Sequence, residues 1–194
     1  MAEAINPELL LAAYRQGAFP MAPAKDSDAI DWYLPEARGV LPLEAFHVPK
    51  NLARHLRQTP YTVTVNGDFG GVMRACAERD ETWISPRILA SYEQLHRLGY
   101  AHSLELRLEG ELVGGQYGVA IGAAFFGESM FHRRPMADQA SLYFTHQRLV
   151  TRGFRLWDCQ FWTPHLGRFG AIEIERADYL ARLADALTHA ARFA

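Results

Sequence analysis

The sequence predicts an α+β fold in which a mixed sheet is flanked by helices and preceded by a small irregular lobe. Three patterns carry that expectation. His102 to Leu108 and Leu112 to Ala120 alternate in polarity across Glu109-Gly110-Glu111, the signature of an antiparallel hairpin. Ala123 to Gly127, the helical stretch Pro135 to Arg152 and the apolar run Phe154 to Gln160 form a strand, helix, strand unit; such a unit crosses over right-handed and leaves its strands parallel. Between Ala18 and Pro49 stand Pro20, Pro23, Pro35, Pro42 and Pro49, which exclude long regular elements. Residues 1–48 are therefore expected as the small lobe and 49–194 as the larger one.

The remaining elements follow from local chemistry. Asn6 can cap a helix over about 7–16 that begins with Pro7, carries Glu8 at its positive end and closes at Gly17. After Pro49 comes a basic helix with Lys50, Arg54 and Arg57, then the alternating strand Tyr61 to Asn66 and a helix over about 68–78. Ser85 and Pro86 are a cap and first-turn pair, and Ile88, Leu89, Tyr92 and Leu95 recur at helical spacing until Gly99. Gly153 ends the crossover helix. Thr163 and Pro164 start a short turn or helix, Ala171 to Ile174 reads as a last strand, and an alanine-rich helix occupies about 176–191.

Composition limits the function. The 194 residues are 49% hydrophobic and 22% charged, which is globular, and a chain of this length can bury about 70% of its unfolded surface. A net charge of −2 excludes histone-like binding but permits a local basic patch. Cys76 and Cys159 make neither a disulfide framework nor a zinc pair, and no histidine pair has metal-binding spacing, so no metal is expected. The N-terminus lacks a basic region followed by an apolar one, and the stretch Gly118 to Gly127 is about half a membrane span. These features lead us to expect a cytoplasmic enzyme or binding protein without a membrane segment.

Parallel strands bring Gly127-Glu128-Ser129 and Asp158-Cys159-Gln160 to one edge of the sheet, where ligand crevices form. Glu128 and Asp158 each follow an apolar strand. Desolvation there raises a carboxyl pKa toward the range of proton transfer, although strand-end carboxylates also serve simply to accept backbone hydrogen bonds. Gln160, two residues beyond Asp158, points to the same face of a strand. Arg133, Arg134, Arg148, Arg152 and Arg155 share an interval whose only acid is Asp138; Arg148, Arg152 and Arg155 form either a polyanion-binding stripe or a solvated helix face. Cys159 points away from Asp158 and has no histidine assigned beside it, which speaks against a thiol nucleophile. Trp32, Tyr33 and Trp83 read as core or lobe-interface residues, and His165 as a polar cap.

Six strings taken in order resemble the leucyl/phenylalanyl-tRNA–protein transferases over nearly the whole chain. They are Tyr14-Arg15-Gln16-Gly17-Ala18-Phe19-Pro20, Thr82-Trp83-Ile84, Leu95 to Ser103, Leu112 to Val119, Gly127-Glu128-Ser129-Met130-Phe131 and Asp158-Cys159-Gln160. The resemblance implies an acetyltransferase-like mixed sheet and transfer of leucine or phenylalanine from aminoacyl-tRNA to the α-amine of proteins beginning with Arg or Lys, marking them for N-degron proteolysis. It implies no cofactor and a monomer. The ester is already activated, so the protein must orient the amine, take its proton and stabilise the oxyanion. Asp158 is then expected to orient Gln160, Gln160 to position the amine, and Glu128 to bind the cationic acceptor or assist proton transfer. Trp83, Phe125 and Phe144 match family positions near the donor's side chain or terminal adenosine, and Arg133, Arg134, Arg148 and Arg152 are expected to hold tRNA.

The sequence departs from the family pattern at three places. Met136-Ala137-Asp138-Gln139 stands where Asn-Ala-Ser-Lys is usual, Gln116 stands where a methionine often lines the donor pocket, and both ends are short, which bears on contacts with the tRNA body. Two alternative functions remain open: a CoA-dependent N-acetyltransferase and a non-catalytic tRNA- or degron-binding module. The first is opposed by the absence of glycine in Phe131 to Gln139, where a pyrophosphate loop would lie; the second is opposed by the retained Glu128, Asp158 and Gln160.

Overall fold

A computed structural model describes residues 3–194. Asn6 caps α1 (Pro7–Arg15) by accepting from the backbone N–H of Glu8 at 2.8 Å and of Leu9 at 3.3 Å. Gly17, at φ 82°, then turns the chain into β1 (Phe19–Met21), which pairs with β2 (Asp31–Tyr33) in a separate two-stranded ribbon. There follow β3 (Ala37–Val40), α2 (Lys50–Gln58), β4 (Thr62–Val65), α3 (Phe69–Cys76), α4 (Pro86–Arg97), β5 (Ala101–Leu108), β6 (Glu111–Ile121) and β7 (Ala124–His132). The chain continues through α5 (Ala137–Thr151), β8 (Leu156–Gln160), α6 (Pro164–Gly167), β9 (Ile172–Glu175) and α7 (Arg176–Leu187).

Seven strands form one mixed sheet in the order β4-β5-β6-β7-β8-β3-β9. All neighbours are antiparallel except β7 and β8, which the crossover α5 makes parallel, with Phe126 beside Asp158. Helices cover both faces, as expected for a mixed sheet flanked by helices. Successive strand residues therefore serve opposite layers: Phe126 and Leu156 pack with α1, α3, α4 and α7, while Phe125 and Trp157 pack with α2 and α5.

Three expectations are corrected. The third central strand does not stop at Gly127 but continues to His132, so Glu128 lies inside a strand. Ser129 opposes Tyr117 and Gly127 opposes Gly118, which leaves Glu128 as the extra residue of a β-bulge. At Gly118 a Cβ would lie 2.4 Å from the Phe126 carbonyl oxygen, so this approach of β6 to β7 requires glycine. The expected division at residue 48 does not follow the sheet, because β3 lies between β8 and β9; four residues between prolines suffice for a strand whose partners are supplied by the far end of the chain. Of the core and lobe-interface readings of Trp32 and Tyr33 the core one fails, both being exposed at 42% and 38%, while Tyr33 keeps the interface one, stacked on Phe19 with centroids 5.9 Å apart and edge-on to Phe161 of the larger lobe.

The departure at Met136 has a local cost. Met136 occupies the position before α5 at φ 65°, a left-handed conformation, and supplies no side-chain cap. Asparagine tolerates this backbone and caps helices. We expect Met136→Asn to hold or raise stability by up to about 1 kcal/mol despite the lost apolar packing, and Met136→Val to lower it by more than 1 kcal/mol, roughly the strain of a β-branched residue there. Thermal unfolding of both variants checks this.

Candidate active site

Beyond Phe126 and Asp158, β7 and β8 diverge, and the polar residues of the site stand on either side of the gap. Asp158 is fully buried and is held by three elements. Arg38 of β3 donates to both carboxylate oxygens, Nε to Oδ1 at 2.9 Å and Nη2 to Oδ2 at 2.6 Å. Tyr179 of α7 donates to Oδ2 at 2.7 Å, and the backbone N–H of Gln160 to Oδ1 at 2.7 Å. Arg38 is itself 1% exposed, donates to the Gly17 carbonyl at 2.8 Å and lies 4.5 Å from the ring centroids of both Phe19 and Tyr179. Burial opposes the Arg38 charge, but Asp158 outweighs it and the pKa rises.

The last contact reshapes the end of β8. Gln160 has φ 64°, outside strand geometry, so the expectation that its side chain simply shares a face with Asp158 does not describe the contact. Asp158 holds the Gln160 backbone, and the side chain swings to Glu128, Nε2 donating to Oε2 at 2.9 Å. The left-handed conformation persists because both ends of the residue are tied down.

Glu128 has a different environment from Asp158. Tyr14 of α1 donates to its Oε1 at 2.5 Å and Tyr92 of α4 to its Oε2 at 3.2 Å, and the two hydroxyls contact each other. No cation pairs with it among the described residues. Burial therefore prevails over the three donors, and Glu128 is pushed up to about 7. Burial followed by the Glu128 charge raises Tyr14 and Tyr92, which keeps both hydroxyls protonated as donors.

A cavity of about 80 Å³ opens beside Glu128, lined by Gln116, Met130, Leu142, Trp157 and Leu166 among others. Of the expected substrate residues, only Gln116 reaches it. Phe125 is a core residue, stacked on Phe193 with centroids 4.8 Å apart. Phe144 is half-buried against Tyr143. Trp83 borders a separate cleft of about 490 Å³ with Ala22 to Lys25 and Asp80 to Thr82. The basic residues also separate: Arg133 and Arg134 precede α5 and pair with Glu78 and Glu111, whereas Arg148 and Arg152 lie at its far end, roughly 20 Å away along the helix. Arg155 leaves the expected stripe by pairing with Asp185 at 3.0 Å. Cys159 lines the cavity, yet burial raises its thiol pKa, away from a nucleophilic thiolate.

Sequence reasoning missed Arg38, Tyr14, Tyr92 and Tyr179 as site residues. Tyr14 stands in the first of the six strings, but nothing local ties it to a carboxylate 114 positions away. Arg38 sits in a proline-rich segment that read as irregular.

The site sets an amide and a carboxyl of raised pKa beside a small cavity. The family described as Leucyl/phenylalanyl-tRNA protein transferase matches residues 40–184, and its N-terminal domain matches residues 3–36. The chain belongs to that family. Relatives bearing the same name include one from Cereibacter sphaeroides, 55% identical over 98% of this chain and 89% of its own length. Others come from Paramagnetospirillum magneticum, 52% identical over 97% of this chain and 92% of its own, and from Dinoroseobacter shibae, 51% identical over 95% and 82%. A solved structure, L-PGS from Bacillus licheniformis, aligns with 81% of this chain and 54% of its own at a TM-score of 0.44 and 15% identity.

Two outcomes follow from the site's electrostatics. Arg38→Ala leaves Asp158 buried without its cation and is expected to destabilise the fold by about 3–5 kcal/mol, measured by denaturant unfolding. Glu128 keeps its proton to a higher pH when folded than when unfolded. Between the ordinary carboxyl range and about 7 the folded state thus binds the extra proton, and its stability falls as pH rises. Glu128→Gln removes this loss, so its stability relative to the unsubstituted protein should grow from pH 5 to pH 8, by at most about 3 kcal/mol.

Proposed function

We infer that the gap between β7 and β8 carries the transfer of leucine or phenylalanine from its tRNA ester to the α-amine of a protein beginning with Arg or Lys. As a member of its family the chain is an aminoacyltransferase that uses aminoacyl-tRNA and a protein acceptor. The contact that best supports the site assignment is the 2.9 Å hydrogen bond from Gln160 Nε2 to Glu128 Oε2 beside the cavity. It occupies the amide nitrogen and leaves Gln160 Oε1 to accept from the attacking amine.

In this reading the amine nitrogen attacks the ester carbonyl carbon, its proton passes to Glu128, and the C–O bond to the tRNA ribose breaks, with the ribose oxygen recovering a proton. Glu128, with a pKa near the working pH, suits this exchange better than it suits pairing with a cationic side chain, because two tyrosines already cover it. Asp158 is a positioning residue that fixes the Gln160 backbone; its oxygens are taken by Arg38, Tyr179 and Gln160. The Trp83 cleft has the volume for a nucleoside and an aromatic ring to stack on it, and so suits the terminal adenosine. Arg133 and Arg134 at one end of α5 and Arg148 and Arg152 at the other offer phosphate contacts along a tRNA stem. No helix among the described residues is long and apolar enough to cross a membrane. We place the protein in the cytoplasm, as a monomer, marking acceptors for N-degron proteolysis.

Incubation with labelled Leu-tRNA or Phe-tRNA and peptides beginning with Arg or Lys tests the reading; absence of label on every peptide overturns it. Gln160→Asn tolerates the left-handed backbone but shortens the amide, and is expected to lower transfer more than about tenfold with tRNA affinity nearly intact. Transfer should rise with pH and level off above about 7 as Glu128 loses its proton, and Glu128→Gln should flatten that rise. Replacing Arg148 and Arg152 together with alanine should reduce the slope of log affinity against log salt by about 1–2; an unchanged slope leaves Arg148 as a tie to the Phe193 carbonyl and Arg152 on a solvated helix face.

A further inference from the structure

The cavity beside Glu128 is small, and one of its walls is tied in place. Its volume of about 80 Å³ is roughly half the ~150 Å³ that an apolar protein cavity presents when it takes up a benzene ring. An isobutyl side chain is smaller than a benzyl group and can bend; a phenyl ring is a rigid disc. Admitting the ring would require the walls to part.

Gln116 of β6 is a wall held by hydrogen bonds. It is 3% exposed, and its Nε2 donates to the Ser141 carbonyl at 3.2 Å and to Thr145 Oγ1, both on α5. A carbonyl oxygen can only accept, so the Ser141 contact decides which end of the amide is nitrogen. Withdrawing Gln116 from the cavity would break both bonds and leave a buried amide unsatisfied. Leu142 lies on the same helix between the two anchors, and Trp157, 2% exposed, closes another side. Close-packed walls of this kind resist insertion of extra volume.

We infer that Gln116, pinned to α5 by Ser141 and Thr145, makes this cavity selective for a leucyl over a phenylalanyl donor. The inference rests on the transferase reading above and places the donor's side chain in this cavity, with its ester carbonyl facing Gln160 and Glu128. Gln116 here is a specificity-determining residue. The discrimination expected from forcing a ring into a fixed pocket is about tenfold or more.

Two measurements decide it. The first is kcat/KM for transfer from Leu-tRNA and from Phe-tRNA to one peptide beginning with Arg. The second is the affinity of the full chain for leucyl and phenylalanyl forms of a puromycin-like aminoacyl-adenosine, which requires no chemistry. The unsubstituted protein should favour the leucyl form by about tenfold or more in both. Gln116→Ala enlarges the cavity, and Thr145→Val keeps the helix's shape while releasing the amide; each should bring the ratio toward one by admitting the phenyl donor. A ratio within about threefold of one in the unsubstituted protein overturns the inference, as does a ratio that both variants leave unchanged. Equal transfer from both donors leaves the transferase reading intact and overturns selectivity. Loss of transfer from both, with the leucyl analogue still preferred, overturns the transferase reading and leaves the selective cavity standing.

Discussion

The structure depends on a buried ion pair between Arg38 and Asp158, 120 residues apart. Moving both charges from water to the interior costs several kcal/mol per ion, and their attraction offsets this only if the geometry is good and the remaining polar sites are filled. Here they are: two parallel guanidinium contacts, the Gly17 carbonyl on Nη1, Tyr179 on Oδ2, the Gln160 amide on Oδ1, and aromatic faces at 4.5 Å on the guanidinium. Satisfying one carboxylate thus requires β3, the turn after α1, the end of β8 and α7 to take fixed positions. The short N-terminal strand belongs to the main sheet for this reason as much as for its ladder bonds.

Two carboxylates on neighbouring strands acquire opposite roles from their surroundings. Asp158 has a cation and serves as an anchor. Glu128 has hydroxyl and amide donors but no cation, so burial dominates and its pKa moves to about 7. Glu128 shares the strand face of Phe126, whose ring centroid lies 4.9 Å from that of Tyr14, so alternation itself brings it to Tyr14 and Tyr92, and the bulge reverses the alternation beyond it, sending Met130 to the opposite layer. Gln160 joins the two groups, its backbone on Asp158 and its side chain on Glu128. A carboxyl that can change protonation near neutrality is thereby attached to one that anchors the fold.

Much of this was legible in the sequence. Asn6 and Ser85 cap the helices they were expected to cap, and Thr163 caps the short element it was expected to start, because capping is a contact within three residues. Glu109 and Gly110, at φ 51° and 86°, make the hairpin turn, and the crossover from β7 to β8 is parallel as its connection requires. That parallel pairing brought Glu128 and Gln160 to one edge of the sheet, and the left-handed backbone of Gln160 completed the contact. The length of β7 was underestimated because the bulge interrupts alternation at Glu128 and Ser129, and β3 was read as irregular because four residues among prolines carry no periodic signal.

By itself, then, the sequence determined the elements, the mixed sheet, the family and the edge of the sheet where chemistry is expected, since these follow from local propensity, connection length and ordered motifs. Only the tertiary structure decided what surrounds the two carboxylates, that Phe125 packs in the core while Gln116 lines the cavity, and that the four arginines fall at opposite ends of α5. Those outcomes depend on contacts between residues far apart in the chain, on desolvation and on shape, none of which has a period in the sequence. The cavity beside Glu128 is the clearest case: its size is set by three strands and two helices that meet only after folding.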